Sequence, residues 1–268
     1  MLIDFHVPVY DEPGYGEALA EAAQNLGAER FCIMGGDGRY GLAADAEVLR
    51  LADAYPEMFV AFAHVDLADY GASRVERMKR VGFAGLCVWA PPAPYDDESF
   101  FPVYEAAQAL GMPVIFHTGF MPPTALDRAR RVRSENMRPV YLDTIARYCP
   151  ALKIVGLGLG NPWCEEAAEA MRHHSNVFFD LSGDILRRRG GQSLAEFFQP
   201  AQASLWEEDT GGSLWGHVLF GSGVRHEDMA AVERDYERTF RSLAVSRDDM
   251  DAVMGNTAAK LLGIPVGS

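Results

Sequence analysis

Short apolar runs rich in β-branched and aromatic residues recur along this chain, and a helical pattern follows almost every one. The runs are Leu2 to His6, Arg30 to Met34, Phe59 to Val65, Gly85 to Trp89, Val114 to Phe116, Lys153 to Leu157, Asn176 to Leu181 and His217 to Ser222. Between them lie helical segments such as Ala18 to Leu26, Ala43 to Ala54, Ala72 to Val81, Ser99 to Leu110, Val140 to Tyr148 and Glu165 to His173. Gly27, Pro56, Gly82 and Pro150 stand where such helices stop. Strands that alternate with helices form a parallel sheet, and eight of them close into a (β/α)8 barrel. The same spacing permits an open doubly wound sheet. The only glycine-rich turn after an early strand, Gly35-Gly36-Asp37-Gly38, departs from the dinucleotide-binding fingerprint that would favour that alternative. Glu227 to Leu243 and Asp248 to Leu262 add closing helices. The expectation is one domain over residues 1–268, an α/β TIM barrel with additional C-terminal helices.

Composition narrows the function classes. A net charge of −14 argues against a nucleic-acid surface, which needs basic patches. No run approaches the roughly 20 apolar residues of a membrane helix, and no basic segment precedes the first apolar residues. Cys32, Cys87, Cys149 and Cys164 are scattered without paired spacing, as suits free thiols in a reducing cytoplasm. The expectations are a cytoplasmic protein with no nucleic-acid and no membrane partner.

In a barrel, chemistry is placed where the strands end. His117 closes the fifth apolar run inside Gly111-Met112-Pro113-Val114-Ile115-Phe116-His117-Thr118-Gly119. Imidazole titrates near neutrality, so a strand-end histidine suits proton transfer. Asp4 and His6 are two apart, which on a regular strand puts both on one face, here the barrel interior. His6, His117 and Asp180 are the candidate catalytic residues. His64, Trp89, Asn161, Trp163 and Ser222 lie at or after other strand ends and are candidate substrate contacts; Trp89 could equally fill the core. Neither Ser182 nor Ser222 stands in a Gly-x-Ser-x-Gly elbow, which gives a serine hydrolase little support. Arginines follow several strands, with Arg128 to Arg133 and Arg187 to Arg189 as clusters. Arg131, Arg188 and Arg225 are candidate contacts to an anionic small molecule, since guanidinium groups bind carboxylate or phosphate bidentately.

An ordered set of segments resembles the amidohydrolase superfamily, in its amidohydrolase-2 branch. These include Ile3-Asp4-Phe5-His6, Gly82 to Leu86, Phe101 to Glu105, the Gly111 to Gly119 stretch, Leu152 to Val155, Gly160-Asn161-Pro162-Trp163, Phe179-Asp180-Leu181-Ser182-Gly183, Leu219-Phe220-Gly221-Ser222 and Gly255-Asn256-Thr257-Ala258 through Leu262. The branch includes metal-dependent hydrolases and decarboxylases related to aminocarboxymuconate-semialdehyde decarboxylase, and related barrels often pair as homodimers. The resemblance implies a divalent metal held by His-x-His on the first strand, one His each on the fifth and sixth, and an Asp after the eighth. His6 and His117 match two of these positions. The others read Pro8, Gly158 and Gly223, and the fourth-strand Lys-x-His-Pro reads Cys87-Val88-Trp89-Ala90. Catalytic zinc sites usually take three protein ligands, so the expectation is a degenerate site with no metal and no cofactor. The activity expected of such a chain is that of a hydrolase or carbon–carbon lyase acting on a small anionic substrate through histidine acid/base chemistry. Two alternatives are an inactive barrel that binds a small molecule or partner protein, and a different metal site rebuilt from Asp37, His64 or His226.

Overall fold

A computed structural model describes residues 1–36, 38–121, 123–124, 127–183, 185–198 and 213–265, without the side chains of 129, 130 and 188–193. Asp37 therefore lies outside the described residues. Eight parallel strands follow one another in chain order around a nearly closed barrel. They are β1 (Ile3–Pro8), β2 (Arg30–Met34), β3 (Phe59–Val65), β4 (Gly85–Val88), β5 (Val114–His117), β6 (Ile154–Leu157), β7 (Val177–Asp180) and β8 (Val218–Leu219). The helices between them are α1 (Tyr15–Leu26), α2 (Asp45–Ala54), α3 (Ala72–Val81), α4 (Phe101–Ala109), α5 (Asp127–Arg130), α6 (Val140–Tyr148), α7 (Cys164–His173) and α8 (Ile185–Phe198). No helix among the described residues is long and apolar enough to cross a membrane.

Alternation along the strands sorts the apolar residues into two cores. Ile3, Cys32, Phe62, Cys87, Ile115, Val155 and Leu219 pack together inside the barrel. Their neighbours Phe31, Ile33, Leu86, Val88, Val114, Phe116 and Phe179 belong to the larger layer beneath the helices. Burial on both faces explains why the strands read as continuous apolar runs rather than strict alternation. Burial also pushes the thiols of Cys32 and Cys87 well up, which makes them core atoms rather than nucleophiles.

The chain closes on itself through β8 and β1. Phe5 N–H donates to the Phe220 carbonyl at 2.9 Å, and Gly223 N–H donates to the His6 carbonyl at 2.8 Å. After β8 come α9 (Met229–Leu243), α10 (Arg247–Asp251) and α11 (Thr257–Leu262). The single helix expected over Asp248 to Leu262 is broken by a π-helical turn at Ala252–Asn256, where a side chain at Gly255 would press on the Met1 carbonyl. Ala258, Ala259 and Leu261 of α11 join the inner core, and Lys153 Nζ donates to the Leu261 carbonyl at 2.6 Å. The final helix thus covers the N-terminal end of the barrel and leaves the C-terminal end for a site.

Several boundaries differ from those expected: β1 runs on past His6 to Pro8, and β5 takes in His117. β4 ends at Val88, before Trp89, and β8 keeps only two residues because the next backbone N–H groups leave the ladder, Phe220 for the Val253 carbonyl at 2.8 Å, Gly221 for the Tyr236 hydroxyl at 3.3 Å and Ser222 for the Asp4 carboxylate at 2.9 Å.

Candidate active site

The ends of β1, β5, β6 and β7 surround a cavity of about 550 Å³. His6, His117, Thr118, Asn161 and Ser182 give it polar walls, and Phe120, Met121, Leu157 and Ile185 give it apolar ones. Gly158, Gly183 and Gly223 complete it with bare backbone. Parallel register brings these groups together, with His117 beside Leu157 and Asp180 beside Leu219.

His6 is held from behind. Its Nδ1 lies 3.0 Å from Asp180 Oδ2 and 3.0 Å from Ser182 Oγ. Asp180 is completely buried, and its other oxygen accepts from Gly158 N–H at 2.5 Å, Ser182 N–H at 3.2 Å and Ser182 Oγ–H at 2.8 Å. Ser182 and Asp180 share one ring nitrogen. A Ser-His-Asp triad places them on opposite nitrogens, so this is not a serine-hydrolase arrangement.

His117 reaches the cavity while its Nε2 is buried with no hydrogen-bond partner. Burial, then the charge of nearby His6, pushes its pKa down to about 4, against a hydrogen bond to the Phe120 backbone and the Asp180 carboxylate. At neutral pH the ring is an uncharged acceptor.

Asp4 and His6 do not share a face. The pairing of β1 with β2 shifts register between Asp4 and Val7, so the two-residue period breaks between them. His6 lines the cavity; Asp4 is buried behind it, accepting from His6 N–H at 3.0 Å and Ser222 N–H at 2.9 Å. Its Oδ2 has no partner, and burial pushes its pKa up to about 6 in spite of the Ser222 and His6 bonds. A carboxyl that keeps its proton longer in the fold than in the open chain favours folding in acid and loses that advantage as pH rises through about 6. Asp4→Asn keeps the accepting oxygen and removes the charge. It should stabilise the protein by about 2 kcal/mol at pH 8, once the unpartnered amide is allowed for, and hardly at all at pH 4. Denaturant melts at the two pH values measure the difference, and equal shifts at both would contradict it.

Of the other candidate contacts, Asn161 lines the cavity. Trp163 stands one layer back, under Phe120 at 5.4 Å between ring centres, with the Arg138 guanidinium 5.5 Å from its own ring. His64 and Trp89 pack on each other with ring centres 4.7 Å apart and planes tilted by 33°, both buried and neither lining the cavity. Ser222 is buried in the β1–β8 seam. Arg225 is tied to Glu12 at 2.5 Å and lies over Tyr10 at 4.4 Å, strapping the loop after β1 to the one after β8. Arg131 is exposed outside the lining, and the Arg188 side chain lies outside the described residues. His226 packs on Tyr15 and meets Glu227. Thr118 and Phe120, one and three residues after His117, line the cavity without being among the expected contacts, as do the glycines, which carry no side chain to attract notice.

The ion implied by the resemblance finds a poor fit. Two glycines and a proline stand at the other positions to which the resemblance assigns ligands, and one nitrogen of His6 lies against Asp180 and Ser182. A Cβ at Gly223 would stand 2.9 Å from His6 Cε1 and Nδ1. Among the described residues no group of three or more His, Cys, Asp or Glu side chains could hold a metal.

Fold and site together define a (β/α)8 barrel with a cavity lined by two histidines among the C-terminal ends of its strands. The family model described as amidohydrolase, of the second amidohydrolase group, matches residues 7–264, and the chain belongs to that family. No curated protein matches it. Among solved structures, an uncharacterized TIM-barrel protein from Bordetella bronchiseptica is 20% identical with a TM-score of 0.73, over 98% of both chains. The 5-carboxyvanillate decarboxylase of Sphingomonas paucimobilis is 17% identical with a TM-score of 0.66, covering 98% of this chain and 99% of that one. A probable 2-pyrone-4,6-dicarboxylic acid hydrolase from Acinetobacter baumannii, solved with citric acid bound, is 12% identical with a TM-score of 0.64, at 98% and 99% coverage. At these identities the likeness establishes the fold.

Proposed function

We propose that this protein is a hydrolase or decarboxylase of small carboxylic acids that works by histidine proton transfer without a resident metal. The observation that carries the proposal is the tethering of His6 by Asp180 and Ser182 beside a cavity that also holds an uncharged His117. The family supports the reaction class, and the two solved relatives named for an activity are a decarboxylase and a hydrolase whose names both carry carboxylic acids.

In this reading His6 takes a proton from attacking water, or supplies one to the carbon that loses carbon dioxide. The Asp180 carboxylate stabilises the imidazolium formed. His117 accepts a hydrogen bond from the water or from a substrate hydroxyl. Phe120, 65% exposed and backed by Trp163, offers a flat wall to a planar ring. The described lining holds no cationic side chain and Arg131 is exposed outside it, so within the lining the Asn161 amide is the donor offered to the substrate's carboxylate. General acid–base catalysis contributes about 10² to 10⁴-fold, which restricts the reaction to activated esters, lactones and acids already inclined to lose carbon dioxide.

The test is a screen of cyclic carboxylic acids and lactones, each beside its neutral amide, with protein exhaustively treated with chelator and checked by elemental analysis. Turnover of the acids at well under 0.1 metal per chain is the expected result, on the order of the threshold that separates a resident ion from contamination. Stoichiometric zinc or manganese, or activity restored only by added metal, defeats the proposal.

A further inference from the structure

We infer that Asp180 is a positioning residue: with Ser182 it fixes His6 in the Nδ1–H tautomer, so that Nε2 is the atom that exchanges the substrate's proton. This rests on the reading that the mouth performs proton chemistry, but its geometry stands apart from any substrate. A carboxylate reads its protonation from its partners, and all four partners of Asp180 can donate. Gly158 N–H, Ser182 N–H and the Ser182 hydroxyl meet Oδ1, and the His6 ring meets Oδ2. As a carboxylate Asp180 only accepts, so each of the four contacts needs its hydrogen on the partner, and the proton on the His6 side belongs to the ring nitrogen. The Ser182 hydroxyl, having given its hydrogen to Asp180, faces Nδ1 as a second acceptor at 3.0 Å. Both neighbours of Nδ1 therefore demand a hydrogen there, which leaves the lone pair of neutral His6 on Nε2.

The surroundings permit little else. A Cβ at Gly221 would collide with the Asp180 carboxylate, and one at Gly223 would stand 2.9 Å from both His6 Nδ1 and Ser182 Cβ. Two bare positions after β8 thus make the room in which Asp180, Ser182 and His6 meet. Asp180 is completely buried and absent from the cavity lining, so it acts through His6 and not on substrate.

Nitrogen-15 NMR of histidine-labelled full-length protein, assigned with His6→Gln, reads the tautomer directly. In the wild type the expected signature is Nδ1–H. In Asp180→Asn the amide oxygen stays with the two backbone N–H groups and the NH₂ turns towards Nδ1, so the proton should move to Nε2. Ser182→Ala should keep Nδ1–H, because Asp180 alone suffices. An Nε2–H ring in the wild type overturns the inference without reference to any variant's folding, and so does an unchanged tautomer in a folded Asp180→Asn protein. Once a substrate is in hand, Asp180→Asn should lower kcat at least 10-fold with KM nearly unchanged, as expected when an interaction made only in the transition state is lost. Finding no turnover with any substrate would remove the functional reading while the spectra still decide this one.

Discussion

His6→Ala should lower kcat/KM by about 10² to 10⁴-fold on any substrate the protein turns over, a loss of roughly 3 to 5 kcal/mol of transition-state stabilisation. The size comes from the role: among the described residues, the variant removes the only cavity-lining side chain whose ring is backed by a buried carboxylate. KM should change much less, because the described lining leaves substrate contact to several other groups. His117→Asn should have a smaller effect, since an amide oxygen can still accept the hydrogen bond assigned to His117. Its pH behaviour separates the two. His117 is pushed down to about 4, so its accepting form persists to about pH 5, and any loss of rate between pH 5 and 7 belongs to another group. Stopped-time assays over that range on both variants measure this. Full activity in His6→Ala would end the proposed mechanism.

The barrel was legible because its signal is repeated. Eight apolar runs, each followed by a helical pattern, leave few arrangements, and an error at one boundary does not change the count. β8 shows what periodicity misses: six residues read as strand, but only Val218–Leu219 pair, because the N–H groups of Phe220, Gly221 and Ser222 go to the Val253 carbonyl, the Tyr236 hydroxyl and the Asp4 carboxylate. Such competition has no pattern in the chain itself. The sequence points to the cavity through His117, which closes β5, and through His6, two residues before the end of β1, while Asp180, which closes β7, stands behind the wall; loop residues gave less signal. Arginines that follow strands look alike in sequence, yet Arg225 straps two loops through Glu12 and Tyr10, and Arg39 pairs with Asp66 at 2.8 Å. The bulge between Asp4 and Val7 likewise defeats a two-residue period that is sound on a regular strand.

Gly223→Asp places a carboxylate where the family resemblance calls for a metal ligand, and it should destabilise the protein without creating a metal site. Residue 223 has φ of +62°, in the left-handed region that costs an L-residue roughly 1 to 2 kcal/mol. Its Cβ would then stand 2.9 Å from His6 Cε1, His6 Nδ1 and Ser182 Cβ, and overpacking of that kind costs about 1 to 3 kcal/mol more. The sum, about 2 to 5 kcal/mol, arises almost wholly from the Cβ, so Gly223→Ala should be destabilised nearly as much as Gly223→Asp. Relief comes only if His6 swings away from Asp180 and Ser182, which dismantles the tether that the proposed chemistry needs. Turnover should therefore fall in both variants together with stability. Denaturant unfolding of the pair, alongside zinc titration of Gly223→Asp by calorimetry, reads each part. Tight stoichiometric zinc binding at wild-type stability would mean that the cavity still accommodates an ion, and that the glycine at 223 is a recent loss rather than part of a rebuilt, proton-handling site.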